Sequence, residues 1–500
     1  MIREPVLGRI DFAHRTFQEY LAAQEAVEDH VPDALVSRAH LDQWWETIVM
    51  AVGHATPQHR AALLNGVLDR ADTEPKHCRR LRLLAAACLD TAKAVDPPEA
   101  IGRVDAALET LVPPRGQQET RSLALAGGRV LRRLPSALDG LSDAAAVASV
   151  TTAALIGGPE ALRLLARWAP DPRGTVQRAL AQVWRYFGPA DYAHTVLRDA
   201  PLEQGSISVT LFDHIPHLRT LRNLRNVRLD LLDAGSAEDL TSLRDAPPAT
   251  TELKVQVSEP VDLSPLAHCP ALKLVNINGG PVSAGLKILA TLPELTYLYI
   301  FPPSGGQDLS FLANCPALTY VTLHNCTTLS DLSALASGPR LRSVFLLGAK
   351  RLRDLNALTE LPDLTSLTIS GASLTGGLAA VTPILDQLKS FSVWSVPTVT
   401  SLDALAGSAL VYLTLGDFPI TDLAPLGTLQ SLTRVSLGQL PNLNLAPLAS
   451  LSQLRELILG DMNEPVDLSP LAQTDHRLRV RLLSTSTVGD PGPLVKTRRR

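Results

Sequence analysis

Five hundred residues, 45% of them apolar and 19% charged, make a folded chain too long for one compact core and too apolar for disorder. The formal net charge of −4 argues against a general nucleic-acid binder, which would carry a strongly basic face. No apolar run is long enough to span a membrane, no signal peptide is evident, and the five cysteines form no CxxC pair, so the expectation is a reduced, cytoplasmic protein.

Residues 1–115 read as a helical domain. Leu41–His54 and Arg79–Ala92 repeat apolar residues at spacings of three and four, and breaks such as Ala55-Thr56-Pro57 and Asp96-Pro97-Pro98 separate them. Phe17, Tyr20 and Leu21 fall on one face of an amphipathic helix. Residues 116–200 continue in helices. Gly158–Trp168 and Arg173–Phe187 flank the turn Ala169-Pro170-Asp171-Pro172, and such turn–helix units resemble HEAT-like repeats.

Residues 201–249 look irregular, a linker in which Leu224, Val227 and Leu229 form a degenerate first coil that caps the C-terminal half. His214 and His217 make an H-x-x-H beside Asp213. They could be metal ligands, but no fourth ligand lies near in sequence, and surface histidines are the plainer reading.

From 250 to 482 the chain is periodic. The apolar pairs Leu253/Val255, Val275/Ile277, Leu298/Ile300, Val321/Leu323 and Val344/Leu346 recur every 22 to 24 residues, followed by Leu367/Ile369, Phe391/Val393, Leu413/Leu415, Val435/Leu437 and Leu457/Leu459. That period marks a leucine-rich-repeat solenoid. The second half of each coil is regular too, as in Leu263-Ser264-Pro265-Leu266-Ala267 and Leu468-Ser469-Pro470-Leu471-Ala472. Ser, Asn356 or Asp403 occupies the expected N-cap of a short helical turn, with Pro265 or Pro470 at its first position. The expected fold is therefore a helical N-terminal half followed by an α/β solenoid with a parallel-sheet horseshoe. Cys269 and Cys315 share the repeat position of Leu292 and Leu361; two coils, roughly 10 Å, separate them, too far for a disulfide. Residues 483–500 read as a disordered basic tail whose Lys496–Arg500 cluster is either solvated or a phosphate contact.

Side chains alternate along a strand, so residues flanking each apolar pair face the concave side. Those columns hold Tyr297, Tyr299 and Phe301, then Tyr320 and His324, then Phe345, and further on Trp394 and Tyr412. Aromatics are 4% of the chain, so these eight residues are the candidate ligand-binding set. Two other readings stand beside it: the rings are covered by residues 201–249 or by another domain, or they reflect the strand preference of aromatics. Asp262, Asp308, Asp331, Asp354, Asp422 and Asp467 recur before each turn, as a metal-binding stripe or as hydrogen-bond acceptors for the backbone. There is no G-x-S-x-G, H-E-x-x-H or G-x-x-x-x-G-K-[ST], so no catalytic, cofactor or metal residue is named and no enzyme activity is expected.

Two resemblances add context. The repeats, with their DLSPLA segments and aspartates, resemble bacterial internalin-type leucine-rich repeats. They depart from that family where an Asn ladder would stand, since Cys326, Ala349, Ala372, Val396, Phe418, Leu440 and Met462 occupy those positions. Packing is then expected to hold the bend. The segment Phe12-Ala13-His14-Arg15-Thr16-Phe17-Gln18-Glu19-Tyr20-Leu21-Ala22-Ala23, with Trp44-Trp45-Glu46-Thr47-Ile48 after it, resembles the helices downstream of the nucleotide-binding domain in NACHT-type STAND NTPases. The chain starts almost at that motif, so it is expected to be the C-terminal portion of such a protein, lacking its ATPase, or a stand-alone derivative. The resemblance implies a ligand-sensing and regulatory region of a signalling protein, in a setting such as bacterial anti-phage defence. It would bind a protein or peptide on the solenoid and relay to a nucleotide-binding domain upstream or in trans. The alternative is a stand-alone interaction scaffold with no switching role.

Overall fold

The computed structural model describes residues 2–6, 9–12, 15–28, 32–89, 91, 92, 94–232, 240–302, 309–336 and 340–499, with the backbone alone at 2–6, 9–12 and 499. Chain contacts divide it into two units, Met1–Ile207 with His217–Arg225 and Ser208–Pro216 with Asn226–Arg500.

The first unit is helical, as the periodicity predicts, with one exception. Ile2–Val6 and Arg9–Phe12 pair as an antiparallel hairpin ahead of the first helix. Helices then run over Arg15–Glu28, Pro32–Arg38, Trp45–His54, Pro57–Thr73, Cys78–Ala87 and Glu99–Glu109. Thr56 starts one of them: its hydroxyl accepts from His59 N–H at 3.3 Å, and Pro57 fills the first helical position. Further on, Ser142 caps Asp143–Ile156, and Gly157 at φ 71° ends it. Leu64, Leu81, Leu84, Val104 and Cys88 form the core between the earlier helices. Arg60 is buried there because its guanidinium donates to the carbonyls of Val52, Gly53 and Ala94 at 2.8, 2.9 and 2.9 Å. Two of those carbonyls belong to the last turn of Trp45–His54, which has no intrahelical donors left for them.

The first helix turns the other way from the sequence reading. Phe17, Tyr20 and Leu21 are 40%, 44% and 47% exposed, while Glu19 and Ala23 are buried. The small Ala23 lets the helix pack closely on that strip, and Glu19 is tolerated there because Arg15 Nε donates to it at 2.7 Å. Ala13 and His14 of the motif lie outside the described residues.

The second unit is a solenoid. From Asn226–Leu231 to Val495–Arg499 one strand of each coil joins a single parallel sheet in chain order, while the short strands Val261–Asp262 and Val282–Ala284, and Val466–Asp467 and Thr487–Val488, pair apart from it. In-register partners are one period apart, as in Leu298, Val321, Val344 and Leu367. All twenty residues of the ten apolar pairs are buried, so each coil hides its leucines only by stacking on the next. The return half of most coils is a short 3₁₀ turn, such as Ser264–His268, Asn356–Glu360 and Ala424–Thr428. The acceptor that starts these turns is the aspartate, not the serine expected. Asp262, Asp331, Asp354, Asp422 and Asp467 Oδ1 each accept from the N–H two residues on, at 2.9, 2.8, 3.2, 2.8 and 2.9 Å. This gives the aspartate column its role in the backbone; Asp308 lies outside the described residues.

The bend after each strand lacks an amide ladder and has two substitutes. Asn325, Gly348, Gly371, Ser395, Asp417, Gln439 and Asp461 all take positive φ at the same repeat position. The residues where Asn would stand, Cys326 through Met462, are buried. The early coil expected around Leu224, Val227 and Leu229 has its strand: Asn226–Leu231 buries Val227, Leu229 and Leu231 and pairs in parallel with Thr250–Gln256. At the other end the sheet extends past residue 482. The tail expected to be disordered is paired instead: Thr487–Val488 with Val466–Asp467, and Val495–Arg499 with Leu478–Leu483. An open strand edge offers unpaired N–H and C=O groups, and Val495 drops into the core on that edge.

Candidate functional site

The concave face carries three side-chain columns, and the parallel register sets what meets in each. Tyr297 stands opposite Tyr320, which stands opposite Ser343; beside them Tyr299, Thr322 and Phe345 are aligned. Because the strands are about 4.8 Å apart, rings in register touch. Tyr297 and Tyr320 stack with centroids 4.3 Å apart and planes 9° from parallel. Tyr320 meets Phe345 at 5.0 Å, and His324 meets Tyr299 at 4.7 Å and Phe301 at 4.5 Å. Six of the eight candidate residues thus form one ring-lined area on three adjacent strands, each of the six half-buried.

The electrostatics reflect that crowding. Burial, then the neighbouring Tyr320 hydroxyl, pushes the Tyr297 phenol up to about 12. Burial also raises Tyr299 and lowers His324, which favours the neutral imidazole. Two polar atoms are left over in the central column. Thr322 is 3% exposed, and its Oγ1 has no hydrogen-bond partner among the described residues; nor has the buried Oδ1 of Asn276, which stands opposite Tyr299. Neither was in the candidate set. Their signal in the sequence was a short polar residue in a column of rings, which reads equally as an ordinary surface position.

Trp394 and Tyr412 lie apart from this cluster. A strand of small polar residues, Ser366, Thr368 and Ser370, separates the Phe345 strand from the Trp394 strand. Trp394 instead lies over Gly416 and Gly438, which follow it in register. Tyr412 is 46% exposed and has the Arg434 guanidinium 5.6 Å from its ring centre. The glycines were legible as a run at one repeat position, but the indole covering them was not.

The remaining candidates fall away from this face. His214 is buried and His217 half-buried in the Phe212–Thr220 turn, which corrects the surface reading for His214. Among the described residues no group of three or more His, Cys, Asp or Glu side chains could hold a metal ion, and no helix is long and apolar enough to cross a membrane. Cys88 and Cys326 are buried thiols pushed up to about 12 by desolvation.

No family model matches the chain, and no curated protein matches it. Among solved structures it is similar to an internalin, InlF, of Listeria monocytogenes, with 21% identity, a TM-score of 0.40, and coverage of 55% of this chain and 78% of that one. It is similar to the functional domain of InlJ from the same organism at 18% identity and a TM-score of 0.32, covering 51% of this chain and 52% of that one, so it spans about half of that domain. A leucine-rich-repeat protein of Leptospira interrogans matches at 15% identity and a TM-score of 0.30, with 62% and 94% covered.

Proposed function

We propose that the ring-lined area on the concave face binds a protein or peptide ligand. The observation that carries this reading is the cluster of Tyr297, Tyr299, Phe301, Tyr320, His324 and Phe345, with the unpartnered Thr322 hydroxyl among them. Tyrosine and other aromatics anchor interfaces, and a buried hydroxyl without a partner regains free energy when a ligand group reaches it. Ligand contact with Trp394 and Tyr412 belongs to the same reading, as flanking anchors farther along the sheet. The test is selection of a displayed random peptide library on the full chain. Enriched peptides should bind the parent and lose binding to Tyr299→Ala/Phe345→Ala; peptides that bind both equally would place the site elsewhere.

The finer proposal is that this recognition serves a NACHT/STAND-type signalling protein. It rests on the Phe12–Ala23 motif and on the first helix, whose Tyr20 and Leu21 offer apolar surface to a further domain. A P-loop ATPase encoded in frame upstream or in the same operon is the expected finding. Its absence would leave the stand-alone scaffold, which needs only the ring cluster.

A further inference from the structure

The last rows of the repeat sheet carry a different chemistry from the ring cluster. Arg434, Glu456, Arg479 and Lys496 stand opposite one another on successive strands. Both oxygens of Glu456 are engaged, one by Arg434 Nε at 2.7 Å and the other by Arg481 Nη1 at 3.5 Å. Up to that point cation and anion alternate. Beyond it they do not: Arg479 is opposite Lys496, and Arg481 is opposite Arg498. Neighbouring strands are about 4.8 Å apart, and like charges directly opposite destabilise a sheet. In a chain whose net charge is −4, this is a local accumulation of positive charge, not a general property of the surface.

A cleft of about 750 Å³ opens at this end, bordered by Tyr412, Arg455, Arg477, Arg479 and Lys496, with Leu478 and Leu494 in its wall. Among the described residues Arg455, Arg477, Arg479 and Lys496 make no ion pair; Arg455 Nη1 donates to the Ser452 carbonyl at 3.3 Å. The one acid bordering the cleft, Glu456, is already consumed.

We propose that this cleft binds a phosphate-rich small ligand, two or more linked phosphates, either free or carried by a nucleotide. The volume lies in the range of small-ligand pockets. Guanidinium forks match phosphate oxygens in pairs and give up hydration more easily than ammonium groups. A carboxylate brings one charge and two oxygens, whereas a chain of linked phosphates brings several charges close together and ends on a terminal phosphate with three free oxygens, which suits several cations converging on one space. The six-ring cluster lies on earlier strands; of the residues proposed for the peptide ligand, Tyr412 also borders this cleft.

Calorimetric titration of the full chain with sodium tripolyphosphate and with ATP, each at low and at physiological salt, tests this. Both should bind, more weakly at the higher salt. Tighter binding of ATP identifies a nucleotide-borne phosphate chain, and equal binding a free one. The double variant Arg479→Gln/Lys496→Gln should lose at least about tenfold in affinity, while its melting temperature holds or rises because a like-charge pair is gone. No heat from either ligand, unchanged affinity in the double variant, or a poly-glutamate peptide binding more tightly than tripolyphosphate would overturn the proposal.

Discussion

The indole of Trp394 rests on Gly416. A Cβ on Gly416 would stand 2.1 Å from Trp394 Cζ3, and one on Gly438 would stand 2.7 Å from its Cη2. Gly416 has no positive φ, so the requirement for glycine there is purely steric. Replacing it by alanine must lift the ring off the sheet. Gly416→Ala should therefore cost about 1–3 kcal/mol, as overpacking does, and shift tryptophan emission to longer wavelength. The shift should vanish in a Trp394→Phe background. An unchanged spectrum and denaturation midpoint would mean that the indole does not lie there.

Tyr299 and Phe345 flank Thr322 in the central column. Both rings are half-buried and share ring contacts with their neighbours, so their removal is not free of structural cost. Lost ring pairs contribute about 0.5–1.5 kcal/mol each. Tyr299→Ala/Phe345→Ala should lower the melting temperature modestly while abolishing peptide capture. Collapse of the fold would show that these rings form core instead of recognition surface.

Leu367 is fully buried between Val344 and Phe391 in register. Leu367→Ala should destabilise the solenoid by about 2–5 kcal/mol, read from urea unfolding. Because coils stack on nearest neighbours, the loss should appear first in hydrogen exchange of the coils adjoining it.

Burial and Tyr320 raise the Tyr297 phenol to about 12. A phenol whose folded pKa lies above its unfolded value contributes stability that is complete below the unfolded pKa, about 10. That contribution is lost as pH rises towards the folded value. Unfolding between pH 9 and about 12 should therefore show a stability decline that is shallower in Tyr297→Phe, and ultraviolet titration should show one fewer late-ionising phenol in that variant than in the parent, where Tyr192 and Tyr299 are raised as well. Identical profiles for the two proteins would remove the burial argument.

Asp331 Oδ1 accepts from Ser333 N–H at 2.8 Å, and the Ser333 hydroxyl donates to Oδ2. These bonds hold its carboxyl below the usual carboxylate range. A depressed pKa contributes stability above the unfolded value that is lost as pH falls through the folded one. Asp331→Ala should lower the melting temperature at neutral pH, and Asp331→Asn should recover part of it, since an amide oxygen still accepts. Equal melting temperatures for the alanine and parent proteins would contradict a capping role for this column.

Much of the second unit was legible because its physics is periodic. An apolar pair every 22 to 24 residues has one way to become buried, so the register of Leu298, Val321 and Val344 and the placement of Tyr297 opposite Tyr320 come from counting. The first helix was misread because its apolar residues outline a face without saying what covers it, and the small Ala23 proved to be the packing side. The tail was misread because Lys496 and Arg498 look like solvated charges. A strand edge already built by Leu478–Leu483 recruited their backbone regardless of side-chain polarity.

Sequence alone determined the repeat, its core and the columns that face inward, since alternation along a strand and spacing between strands are local properties of the chain. Only the tertiary structure decided which members of those columns touch. It joined six rings into one area, laid Trp394 on two glycines, and brought Arg479 against Lys496 where no acid stands between them. Side-chain direction within a column depends on the space that neighbouring coils leave, and that space exists only once the coils have stacked.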